Sequence, residues 1–127
     1  MATDLKIPEG YQTVMPYLIV NDAATLMQFL TTVFDAKLKM HHPNPDGSYG
    51  HAEVTIGESC IMFSETMKGF EANTAGLFIY VDNADERYKL ALENGATSIM
   101  PPADQDYGRS CGVKDSNGNT WWITSAK

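Results

Sequence analysis

Basic residues are scarce in this chain, and those present are scattered. Nine Lys and Arg stand against sixteen Asp and Glu, giving a formal net charge of −7 and a pI near 4.7. Phosphate backbones are recruited by clustered Lys and Arg, so nucleic acid is not an expected partner. Long apolar runs are missing too. No stretch approaches the roughly 20 residues needed to cross a bilayer, and no membrane association is expected. Met1-Ala2-Thr3-Asp4-Leu5-Lys6 lacks the basic and apolar regions of a secretory leader, so the expected location is cytoplasmic. Cysteine is limited to Cys60 and Cys111, which have no metal-type spacing. In a reducing compartment both are expected as thiols, packed as small hydrophobes. There is no Gly-rich phosphate loop, no zinc-type Cys/His spacing and no Gly-x-Ser-x-Gly elbow. What is there is ordinary for one soluble domain: 127 residues, 43% hydrophobic and 20% charged. An acidic surface favours solubility and suits cationic ligands.

The most informative feature present is a duplication. Residues 15–64 and 76–125 read as one unit written twice. The first copy has Tyr17-Leu18-Ile19-Val20-Asn21-Asp22-Ala23, and the second has Phe78-Ile79-Tyr80-Val81-Asp82-Asn83-Ala84. Each passes through a helical stretch to Asp35-Ala36 or Gly95-Ala96, then to Tyr49-Gly50 or Tyr107-Gly108. Each closes on a Gly-led segment, Gly57 to Ser64 and Gly118 to Ser125. The offset is 61 at the start (81 minus 20) and 61 at the end (118 minus 57). A constant offset predicts a pseudo-twofold axis, with a ligand held in the space upon it.

Within each unit the pattern predicts βαβββ. Asn21-Asp22 offers a helix cap, and Leu26, Met27, Phe29, Leu30, Val33 and Phe34 recur at helical spacing after it. Strands are expected at 13–20, 37–42, 49–56 and 59–65, the last two joined by Gly57-Glu58. In the second unit strands are expected at 76–81, 97–100, 109–114 and 120–125, with a helix over 84–94 stopped by Asn94-Gly95. Pro101-Pro102-Ala103-Asp104-Gln105-Asp106 reads as a loop. The whole is a single α+β domain over 1–127: units at about 13–66 and 75–125, a linker at 67–74 and an N-terminal arm at 1–12. Such a unit buries one sheet face under its helix and leaves a concave face for a ligand.

Paired units with these landmarks resemble the vicinal oxygen chelate superfamily of glyoxalase I, extradiol dioxygenases and bleomycin-resistance proteins. The most specific similarity is to its glyoxalase-like bacterial branch. The resemblance rests on Met15-Pro16-Tyr17-Leu18-Ile19-Val20, Phe34-Asp35-Ala36, His51-Ala52-Glu53, Gly95-Ala96-Thr97, Tyr107-Gly108-Arg109 and the run from Asp115 to Trp122. It implies two tandem units forming a curved, mainly antiparallel sheet cup. In the metal-dependent members, His, Gln or Glu from the first and last strands of each unit bind a divalent ion. Those places map here to Met15, Ile61, Gly76 and Trp122, none of which offers an imidazole or carboxylate. A thioether alone is a soft ligand, so neither metal nor other cofactor is expected.

An apolar cup is what remains. Strand alternation puts Tyr17, Phe63, Phe78 and Tyr80 on one face with the vacated positions, Trp122 among them. Polar candidates are His51 and Glu53, an acid–base pair on one strand face, although i and i+2 side chains are expected to lie too far apart to bond directly. Tyr107 and Arg109 flank a loop, and Arg109 is read either as a carboxylate clamp or as the partner of a surface acid. Adjacent strand residues His41 and His42 point to opposite faces and are read as surface groups. The reading is a metal-free homodimer that binds an apolar or aromatic small molecule, with no catalysis of its own or a weak activity. An antibiotic-sequestering protein of bleomycin-resistance type is one alternative. A lyase, isomerase or dioxygenase using displaced residues such as His51 and Glu53 is another, and a purely structural oligomer is a third.

Overall fold

The computed structural model describes residues 4–127. Two four-stranded sheets carry the chain. The first contains β1 (Tyr17–Val20), β2 (Lys37–Pro43), β3 (Tyr49–Ile56) and β4 (Ser59–Glu65) in the order β1-β4-β3-β2. The second contains β5 (Gly76–Tyr80), β6 (Thr97–Gln105), β7 (Gly108–Lys114) and β8 (Thr120–Ala126) in the order β5-β8-β7-β6. Helix α1 (Ala23–Phe34) crosses between β1 and β2, and α2 (Ala84–Glu93) between β5 and β6. The first and last strands of each unit pair in parallel and the rest are antiparallel. The duplicated βαβββ architecture is therefore realised.

Local chemistry explains the helix boundaries. Asp22 caps α1 by accepting from the Thr25 N–H at 3.1 Å, and Asn83 caps α2 by accepting from the Glu86 N–H at 3.1 Å. The end of α1 turns through Asp35 in the left-handed region. Leu26, Phe29, Leu30 and Val33 form the buried stripe of α1, each side chain contributing about 1.5–3 kcal/mol on burial. Phe29 and Phe34 reach across to Trp121 of β8, with Phe34 and Trp121 ring centroids 5.0 Å apart. One apolar core thus serves both units, with α1 and α2 in contact inside it.

Polar stitches join the units at the same place. The Asn117 amide accepts from the Asp22 N–H and donates to the Asp22 carbonyl, both at 2.9 Å. Arg87 of α2 donates to the Val33 carbonyl at 3.1 Å and pairs with Asp35 at 3.0 Å, placing a cation at the negative end of α1.

The offset of 61 does not run to the end. It holds through the caps, where Asp22 matches Asn83. Helix α1 has 12 residues and α2 has 10, and beyond them the match shifts to 60, Ala36 with Ala96. Physical partners confirm this. The Ala23 N–H is taken by Glu65 and the Ala84 N–H by Ser125, and 125 minus 65 is 60. Pairing places Met62 beside Tyr17 and Trp122 beside Phe78, so Met62 is the counterpart of Trp122. A second departure concerns Pro101 and Pro102, which lie inside β6 rather than in a loop. The sheet's outer edge tolerates them because β6 has a neighbour on one side only, and the pairing register with β7 skips both residues, shifting between Met100 and Ala103.

Candidate functional site

The exposed face of the first sheet carries a continuous hydrogen-bonded chain. His51 and Glu53 both stand on β3 and their side chains meet, Nε2 to Oε2 at 2.7 Å. The expected separation is closed because a long carboxylate arm and an imidazole lean towards each other along the strand. The His51 Nδ1 in turn lies 2.9 Å from the Tyr17 hydroxyl on β1. Glu53 is buried, and the Tyr11 hydroxyl donates to its other oxygen. Burial pushes the Glu53 carboxyl up, but hydrogen bonds from Tyr11 and His51 outweigh it and hold the group below its ordinary value. The Tyr11 phenol is pushed up to about 12, chiefly because its proton is committed to Glu53.

Tyr11 belongs to the N-terminal arm, which lies across this face. Gln12 continues the coverage by pairing its amide with the Cys60 backbone, donating to the carbonyl at 2.8 Å and accepting from the N–H at 3.2 Å. Lys39 sits 4.3 Å from the Tyr11 ring centroid and donates to the Gly10 carbonyl. Beneath the arm is a cleft of about 460 Å³ lined by Leu5, Ile7, Tyr11, Met15, Glu53 and Met62. Burial raises the thiol pKa of Cys60, and that of Cys111 to about 11, which leaves both as inert packing groups.

The corresponding face of the second sheet is aromatic. Phe78 and Tyr80 on β5 have ring centroids 5.2 Å apart, and Tyr107 stands 6.3 Å from Phe78. All three are exposed, as is Trp122 on β8. The Trp122 ring packs closely against Gly112 of β7. A Cβ there would fall 2.4 Å from the indole, so only glycine admits this placement.

Several expected site residues lie elsewhere. Phe63 and Ile61 point into the core, because the repeat slips by one residue after the helix and puts Met62 on the open face in their stead. Arg109 is held by Asp85 of α2 through two bonds of 2.9 and 3.1 Å, and by Asp104 at 3.2 Å, so it serves as a helix–sheet clamp. His41 is half-buried against Tyr49, ring centroids 4.1 Å apart, rather than on the surface. The vacated positions separate in pairs. Met15 lies under the arm with Met62, while Gly76 and Trp122 sit on the second sheet. Among the described residues, no three His, Cys, Asp or Glu side chains are grouped to hold a metal ion.

Helices α1 and α2 touch one another, and a single core is shared by the two units. Between the units lies a crevice of about 420 Å³ whose walls include Gln12, Pro16, Cys60, Phe78 and Tyr80. Tyr11, Met62 and Gly112 are site residues that pattern alone misses. Gly112 carried a usable signal, since glycine inside a strand marks a close approach.

Comparisons with known proteins agree on the fold. The family model described as Glyoxalase/Bleomycin resistance protein/Dioxygenase superfamily matches residues 11–123. An uncharacterised protein of Mycobacterium bovis is 30% identical over 118 residues, covering 84% of this chain and 78% of its own. The crystal structure of TioX from a Micromonospora species superposes with a TM-score of 0.74 at 22% identity, over 91% of this chain and 100% of that one. TnmS3, an antibiotic-binding protein from a Streptomyces species, superposes with a TM-score of 0.67 at 15% identity, over 91% and 98%.

Proposed function

We propose that this chain, which belongs to the glyoxalase/bleomycin resistance protein/dioxygenase superfamily, binds an apolar or aromatic small molecule in a cup completed by two copies. The observation that carries this reading is the exposure of Phe78, Tyr80, Tyr107 and Trp122 on one sheet face. Such a patch is costly to leave in water and offers stacking surfaces to a planar ligand. The face bearing His51 and Glu53 would supply the polar wall from the other copy. Isologous pairing of two copies would set one face of each kind against the other.

A narrower form of the reading is sequestration of a cationic antibiotic. The net charge of −7 favours it, and TnmS3 is described as an antibiotic-binding protein. Titration of tryptophan emission with planar cationic and neutral aromatic compounds tests both forms. Trp122→Ala should weaken binding by about tenfold or more, since stacking on indole contributes about 0.5–1.5 kcal/mol beyond area burial. An unchanged spectrum across the whole panel would sink the binding reading.

A further inference from the structure

We propose that Tyr17, His51 and Glu53 form a nucleophilic triad in which the Tyr17 phenol attacks small activated acyl compounds such as aryl esters. The geometry has the order such a triad needs: hydroxyl to imidazole at 2.9 Å, imidazole to carboxylate at 2.7 Å. An ionised carboxylate only accepts, so Glu53 takes the Nε2–H of neutral His51. That fixes the tautomer and leaves the Nδ1 lone pair facing the Tyr17 O–H. Glu53 itself is 3% exposed and tied by Tyr11, so it orients the ring rigidly from a desolvated position. Tyr17 is half-exposed and open to a ligand on that face.

The step balances without any added reagent beyond the ester. The Tyr17 Oη–acyl bond forms as its proton passes to His51 Nδ1, where Glu53 stabilises the imidazolium. The ester C–O bond breaks and the aryl oxide leaves, the proton returning from His51 to it or to water. The product is an O-acyl tyrosine. Other titratable groups facing the triad are Tyr11 and Lys39 beside Glu53, Cys60 beneath Gln12, and His42, which pairs with His51 across β2 and β3. This inference uses the first sheet's face alone, the face proposed above as the polar wall, and holds whether or not two copies complete a cup.

The intact protein supplies its own controls. Exposure alone ranks Tyr80 (65%) and Tyr107 (52%) above Tyr17 (45%) as targets for acetylation. With p-nitrophenyl acetate at neutral pH, peptide mapping should show Tyr17 acetylated about a hundredfold faster than Tyr80, the low end of what a positioned base supplies. Folded His51→Gln should drop Tyr17 to the control rate. A Tyr17 advantage below tenfold in the wild type, acetyl on His51 instead, or undiminished Tyr17 labelling in His51→Gln would each overturn the triad.

Discussion

At the scale of single residues, Tyr11 and Glu53 make a pair whose strength depends on pH at both ends. The Glu53 pKa is depressed in the folded chain, so its contribution is complete above the ordinary carboxylate range and is lost as pH falls through the folded value. The Tyr11 pKa is raised, so its contribution is complete below about 10 and is lost as pH climbs towards about 12. Denaturant midpoints of wild type and Tyr11→Phe should differ by a constant amount between pH 5 and 9, on the scale set by those ordinary values. The difference should shrink on either flank. A difference that does not shrink as the pH falls through the folded Glu53 value would mean the arm is held by something else. His51 and Glu53 were legible from alternation on β3, because period two assigns faces reliably. Their direct bond was not, since it depends on how far two side chains lean. Tyr11 was invisible because the arm has no periodicity to read.

Among elements, the β7–β8 hairpin gives the sharpest expectations. The Asp115 carboxylate is buried and accepts from the Asn117 and Asn119 N–H groups, the Asn119 amide and the Trp121 indole, the last at 2.8 Å. The run from Asp115 to Trp122, part of the family resemblance, is also a folding device around one carboxylate. Asp115→Ala strands several donors and should cost about 3 kcal/mol or more, measurable by urea denaturation. Gly112→Ala should displace the Trp122 ring, with a red-shifted emission and a loss of about 1–3 kcal/mol. Gly76→Ala is the control, since an added Cβ meets nothing within 4 Å there. Equal effects at both glycines would contradict the close packing of the indole on Gly112. The helices and most strands were readable because caps and buried stripes are local. The one-residue slip after α1 was not, because the two helices differ in length and sequence landmarks fit either offset. That slip alone sent Ile61 and Phe63 to the wrong face.

At the scale of the molecule, two copies should associate. Light scattering at micromolar concentration should give twice the 14.0 kDa chain mass, and Tyr80→Asp should shift the particle towards one copy by burying a charge at the aromatic face. A single-copy mass for the wild type would count against the pairing. The outer strands bear on how such association stops. β2 and β6, one edge strand of each sheet, carry Pro43, Pro101 and Pro102 and each breaks register twice, so these two edges present no regular row of backbone donors. A neighbouring chain cannot zip onto them strand by strand. At these two edges concentrated protein is thereby steered away from fibrous polymer, and the prolines that interrupt β6 act as guards of solubility.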